Sequence, residues 1–267
     1  MSRENDHALR FYHEVLGLDH LHYGLWNDDD DLTFENLKRA QQRYEDFLVD
    51  NIPTNAKSIL DVGCGTSALT KRLLDRGLEV EGLSPDQTQK DLFTSTLEVP
   101  FHHTRFENFS TNRTYDCLIM SESAQYIPLK QLFDNARTHL APGGHLLVFD
   151  YFINDHAQGI FAKSGHNYRK FVESANNTGF RILRELDYTH STIKTLDLGR
   201  QFADRAKIAL EILTEKPKRR HPRIYSLVNW AFRKKIKHLQ EQMQLLDSER
   251  FRNQKKYVFF EFQCLSG

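Results

Sequence analysis

Short apolar runs recur along this chain, and segments with helical spacing separate most of them. Ile59-Leu60-Asp61-Val62, Tyr115 to Met120 and His145 to Tyr151 are nearly continuous apolar runs, the pattern of strands buried on both faces of a parallel sheet. Val80 to Leu83 marks another strand end, Pro100 to His103 a weaker one, and Phe180 to Leu186 with Tyr257 to Phe262 a terminal pair. Between them, Leu69 and Leu73, Lys90 to Ser95, Leu132 to Leu140 and Asn167 to Ala175 carry helical character. Ala141-Pro142-Gly143-Gly144 supplies a sharp helix-to-strand turn. Strands alternating with helices predict an α/β fold around a mostly parallel sheet.

Two regions break that alternation. Residues 7 to 50 carry no strand pattern, and Leu37, Ala40 and Tyr44, then Phe47 and Leu48, recur at helical spacing, which predicts an N-terminal helical cap over 1–50. The loop His22-Tyr23-Gly24-Leu25-Trp26 and the acidic run Asp28 to Asp31 interrupt the cap, with Asp31 or Thr33 placed to cap the helix that follows. The second region lies between the last two strands, where a hairpin needs only a few residues. Leu196, Ile208, Ile212 and Leu213 have helical spacing there, followed by the basic linker Lys216 to Arg223. Leu227, Val228, Ala231, Ile236, Leu239, Met243 and Leu246 then form one apolar stripe. The expected organisation is a cap over 1–50, a cofactor-binding core over 51–190, a helical lid over 191–251 and a last strand within 252–267.

The chain of 267 residues is long enough for one core with an insertion, and 19 Phe with 10 Tyr exclude long disorder. Cys64, Cys117 and Cys264 are scattered and odd in number, which points to free thiols in a reducing compartment. No apolar stretch reaches about 18 residues and the N-terminus has no apolar signal core, so a soluble cytoplasmic protein without a transmembrane segment is expected. Formal net charge is zero, but residues 191–256 hold 17 Lys and Arg against 7 Asp and Glu, leaving +10 there and −10 elsewhere. A solvated helical face docked on an acidic core accounts for this, as would an acidic substrate, an anionic membrane surface met peripherally, or RNA.

Candidate chemistry concentrates where the first strand runs into its helix. Gly63 and Gly65 let backbone approach a ligand closely, and Asp61 stands at the strand end facing the crevice where open α/β sheets bind cofactors. Asp-x-Gly-x-Gly, with Ser67 at the third glycine position, resembles the first motif of class I S-adenosylmethionine-dependent methyltransferases. The continuation Leu83-Ser84-Pro85-Asp86-Gln87 is similar to the branch with cyclopropane-fatty-acid synthases and tocopherol methyltransferases.

The resemblance implies a Rossmann-like seven-stranded sheet whose last strand inserts antiparallel, S-adenosylmethionine as cofactor and S-adenosylhomocysteine as product. It assigns Asp61, Gly63, Gly65 and Ser121 to the cofactor crevice, and Tyr23, in a Tyr-Gly-x-Trp stretch, to a cover over the methionine end. Leu83, Ser84 and Gln87 fall at the ribose and adenine, and Phe106 and Glu107 at the adenine. Gly82 stands where the family places an acid or hydroxyl for the ribose, and Glu81 beside it is out of phase. Cyclopropane synthases hold bicarbonate with a Glu-His pair where this chain has Gln125-Tyr126, which counts against cyclopropanation. Neither the Pro-Pro-Tyr motif of amino-methylating nucleic-acid enzymes nor a Pro-Cys nucleophile follows Ser121.

Methyl transfer from a sulfonium needs alignment and a dry pocket more than a strong base. His190 and His22 are the imidazoles nearest the expected mouth, with Tyr126 placed to orient a nucleophile. No metal site is expected, since the spacing of His20 and His22 suggests no third ligand. The favoured reading is methyl transfer to a small apolar or amphipathic acceptor, lipid-like or aromatic. The alternatives are an RNA or protein methyltransferase using the basic insertion, and a cofactor-binding domain without turnover. Oligomeric state is not encoded in these patterns.

Overall fold

The computed structural model describes residue 20 and residues 22–265, so the expected cap before His20 and residues 266–267 lie outside the described residues. Among the described residues the first helix is α1 (Phe34–Asp50), capped by Thr33, whose hydroxyl accepts from the Asn36 N–H. The core follows as β1 (Ser58–Val62), α2 (Ala68–Asp75), β2 (Glu79–Leu83), α3 (Gln87–Thr96), the short β3 (Phe101–His102), β4 (Tyr115–Ser121), α4 (Leu129–His139) and β5 (Leu140–Ile153). It closes with β6 (His166–Asn167), α5 (Tyr168–Asn177), β7 (Phe180–Asp187) and β8 (Lys255–Cys264). Between β7 and β8 lie α6 (Thr189–Thr192), α7 (Lys194–Arg220), α8 (Pro222–Met243) and α9 (Ser248–Gln254).

The strand order is β3-β2-β1-β4-β5-β8-β7, with β8 antiparallel to both neighbours. This is the seven-stranded arrangement the sequence implies, with one addition, since the two-residue β6 pairs with β5. Ala141 to Gly144 do not turn ahead of β5 but loop out within it. Tyr115 of β4 pairs with Leu140, Cys117 pairs with His145, and Gly143 takes a φ of +76° in the excursion.

Alternation along the strands splits the core in two. Ile59, Cys117, Ile119, Leu147, Phe149 and Phe259 face α1 and α2, where they meet Tyr44, Leu48 and Leu73. Leu60, Leu118, Met120, Val148, Phe260 and Phe262 point to the other side, against Phe133 of α4 and Phe171 of α5. Phe149 and Tyr44 stack with centroids 4.5 Å apart, fixing α1 over the C-terminal ends of β4 and β5.

Gly82 has a packing reason. A Cβ there would lie 2.5 Å from Cε2 of Phe93, which is fully buried on α3, and 3.1 Å from Sγ of Cys64. Gly82→Ala is therefore expected to cost about 1–3 kcal/mol by overpacking and to lower Tm by several degrees in a thermal melt; an unchanged Tm would show that Phe93 yields freely. Glu81 is committed elsewhere: its Oε1 accepts from Arg113, and its Oε2 accepts from Tyr115 Oη and lies 2.6 Å from His102 Nε2.

The insertion is helical, as its spacing predicts, but its stripes are solvent-exposed. α7 buries only Leu196 and Leu198 near its start, and α8 buries nothing.

Candidate active site

The C-terminal ends of β1, β2 and β4 converge on a cavity of about 560 Å³. The turn after β1 forms its floor. Gly63 donates to the Leu83 carbonyl over 2.7 Å, tying the turn to β2. Gly63 and Gly65 have φ of +79° and +53°, and Ser67, at the third glycine position, is itself left-handed at +69°. A Cβ on Gly63 would strike Ser123, 2.4 Å away, whereas one on Gly65 would meet nothing nearer than the Gly63 carbonyl at 4.0 Å.

Asp61 lines this floor. Burial pushes its carboxyl up to about 6, although the Thr70 hydroxyl donates to it over 2.6 Å, and the charge of Glu45 pushes the same way. Glu45 comes from α1. Burial works against its charge too, but His20 and His22 outweigh it and hold the carboxyl at about 2. His20 Nδ1 lies 2.9 Å and His22 Nε2 3.6 Å from Glu45 Oε1, while Arg72 lies 3.2 Å from Oε2. Nδ1 of His22 lies 2.7 Å from the Tyr23 carbonyl and donates to it. That leaves Nε2 buried with no hydrogen-bond partner among the described residues. The ligand atoms of His20, His22 and Glu45 lie within 4.8 Å of one another, so α1 supplies the third ligand that the histidine spacing lacks; Arg72 already neutralises that carboxylate.

At the end of β4, Glu122 takes a φ of +52°, rare for a non-glycine residue and a mark of backbone held by its surroundings. Its Oε1 accepts from the Tyr23 N–H over 2.7 Å and from the Tyr257 hydroxyl in a short bond. Burial raises its carboxyl to about 8. Tyr44 Oη lies 2.9 Å from Ser121 Oγ and continues the chain of hydroxyls. Behind it, burial brings Asp150 to about 7 and Lys255 down to about 8. Asp150 accepts from the Gln125 and Tyr151 N–H groups and so fixes the loop that carries Glu122.

Of the residues expected from sequence, Asp61, Gly63, Gly65, Leu83, Ser84, Phe106, Glu107, Ser121, His22 and Tyr126 line the cavity together. Three do not. His190 is corrected to the outer surface, where its Nε2 lies 3.0 Å from Asp28 and no cavity wall is near. Tyr23 packs its ring on Tyr257 at 5.3 Å, because His20 and His22 take the cavity side of that extended segment. Gln87 bonds Asp91 one turn on, and Gln89 lines the wall instead. Trp26 is a buried anchor, donating from Nε1 to Thr195 at the base of the insertion. No lining residue comes from 191–251. Sequence reasoning passed over His20, Tyr44, Glu45 and Gln89 as cavity-wall groups; Glu122, directly after a buried strand, it placed at the crevice without a role of its own.

Residues 35–195 match the family described as a methyltransferase domain, well over half of the chain. The chain belongs to that methyltransferase family. An uncharacterised methyltransferase of Mycobacterium tuberculosis is 31% identical over 113 residues, 41% of this chain and 46% of that protein, so the match spans about half the relative's length. The crystal structure of the [4+2]-cyclase SpnF superimposes with a TM-score of 0.73 at 17% identity, covering 97% of this chain and 94% of that one. Geranyl diphosphate C-methyltransferase from Streptomyces coelicolor A3(2), solved with Mg2+, geranyl diphosphate and S-adenosyl-L-homocysteine, gives 0.69 at 17%, covering 98% and 94%. These structures share the Rossmann-like methyltransferase fold, in which one frame serves different reactions.

Proposed function

We propose that this methyltransferase-family chain transfers a methyl group from S-adenosylmethionine to a small apolar or amphipathic acceptor. The observation that carries the reading is the cavity floor, where Gly65 leaves open space beside buried carboxyls that lack compensating charge. A ligand bearing ammonium and sulfonium charges suits that floor. When bound, the cofactor supplies an electrophilic methyl group.

Gly63, Gly65, Asp61 and the unpartnered Nε2 of His22 would hold its amino-acid end. Ser84, Asp86 and Gln89 are the groups for the ribose, in place of the side chain that Gly82 lacks, and Leu83, Phe106 and Glu107 those for the adenine. Ser121, Glu122 and Tyr126 face the remaining space, where Glu122, once ionised, takes the proton of a hydroxyl or amine acceptor. The cover is assigned to the segment carrying His20 and His22, which line the cavity and are followed by Gly24 and Trp26, both anchored on Thr195 at the base of the insertion. An acceptor with an apolar body, quinone-like, isoprenoid or polyketide-like, fits the wall of Leu48, Leu69 and Ile127.

Labelled S-adenosylmethionine offered with a lipid extract, total RNA or a protein extract tests the acceptor class. Label in the lipid fraction is expected, and label confined to RNA or protein would overturn the small-molecule reading. Cofactor affinity should also depend on pH. Asp61 favours a cation only when ionised, so affinity rises as pH increases through about 6, and Asp61→Asn flattens that rise in a calorimetric titration. An inflection unchanged in the variant would remove Asp61 from this role.

A further inference from the structure

α8 runs for 22 residues and buries none of them. A surface helix ordinarily hides its apolar stripe against its own core. Here Ile224, Val228, Phe232, Ile236 and Leu239 follow at steps of four, four, four and three along one face, and they are between 40 and 62% exposed. Ile212 and Leu213 on α7 are 67 and 73% exposed. From Lys216 to Lys237 the chain carries nine Lys and Arg and no Asp or Glu. Cations border the exposed rings, with Arg233 5.0 Å from the Trp230 ring and Lys235 5.9 Å from that of Phe232.

Apolar side chains along one face of an exposed helix, with lysines and arginines on and around it, are the pattern of a helix lying in the head-group layer of a bilayer. Its carbons enter the acyl boundary while the ammonium and guanidinium groups reach anionic head groups. RNA would satisfy the charge and leave the apolar stripe in water. A second copy meeting this face symmetrically would cover the stripe but oppose nine like charges. An anionic bilayer satisfies both features, and no described helix is long and apolar enough to cross it.

We propose that the α7–α8 hairpin docks this protein onto anionic membrane surfaces, with α8 lying in the head-group layer. The inference is independent of the methyl-transfer reading, because no residue of the hairpin lines the cavity. The test is co-sedimentation of the full chain with phosphatidylcholine vesicles and with vesicles in which roughly a third of the lipid is phosphatidylglycerol, at low and high salt. Binding to the anionic vesicles is expected, at least about tenfold weaker without phosphatidylglycerol or at high salt. Phe232→Ser with Ile236→Ser, and separately Lys234→Glu with Lys235→Glu, should each weaken binding at least about tenfold. Neither pair disturbs a buried position, so a parental Tm reports a retained core. Absence of binding to anionic vesicles overturns the proposal. So do equal binding to both vesicle types, variants that bind like the parent, and a hairpin that serves RNA binding or dimerisation without vesicle binding.

Discussion

Gly65→Leu is expected to weaken S-adenosylhomocysteine binding at least about a hundredfold, roughly 2.7 kcal/mol, in a protein that still folds. No neighbouring residue opposes the new side chain, since a Cβ at Gly65 has only the Gly63 carbonyl within reach, at 4.0 Å. The space it fills is cavity. Left-handed backbone at φ +53° adds about 1–2 kcal/mol of strain, a loss of several degrees in Tm for a chain of this length. Gly63 makes the contrasting case. Its added Cβ would meet Ser123 at 2.4 Å, so substitution there strikes the frame before it strikes a ligand and lowers Tm much more. Calorimetry on the two variants separates the effects, and a folded Gly65→Leu protein with parental affinity would remove the cofactor from this turn.

The second large effect is expected at Glu122. Glu122→Gln should slow methyl transfer by about a hundredfold or more if the carboxylate takes the acceptor's proton, and should abolish the rise in rate centred near pH 8. The direction follows from burial, which lifts this carboxyl from 4.5 to about 8, so the base is ionised only on the alkaline side. Stability moves the opposite way. A carboxyl whose folded pKa is raised contributes stability that is full below 4.5 and is lost as pH rises through about 8. Parental Tm should therefore fall across that window and the variant's less, with Asp61, raised to about 6, and Asp150, raised to about 7, supplying what decline remains. Tyr257→Phe provides an internal check. Its hydroxyl stabilises the charged form, so its removal moves the rate inflection to higher pH. A Glu122→Gln enzyme with the parental pH–rate profile would exclude this base.

The frame was legible in the sequence because its signals are local. Apolar runs such as Tyr115 to Met120 are visible within a few residues, and the Asp-x-Gly-x-Gly turn carries its backbone requirement in the glycines themselves. The weak strand near Phe101 proved to be two residues long, in keeping with its faint pattern. The polar wall of the cavity was less legible because its members meet only in space. Glu45 lies on α1 in a helical pattern that reads as an ordinary amphipathic face, yet His20, His22 and Arg72 converge on it. Tyr257 reaches Glu122 from the last strand, 135 residues away in sequence. His190 shows the converse error, since a histidine just after a strand edge looked close to the mouth until the turn of α6 carried it outward to Asp28.

The antiparallel pairing of β7 with β8 has a further consequence. Asp187 pairs with Val258, so the excursion through α6 to α9 leaves and returns at adjacent points of the sheet. Closing a longer excursion between fixed ends costs only about 0.6 kcal/mol per doubling of its length. The match to the family ends at residue 195, one residue past the start of α7. The end of that match thus falls at a place where added length is nearly free. Selection could lengthen, recharge or replace the hairpin without renegotiating the sheet, which makes that segment the part of the molecule best able to record where and on what this protein works.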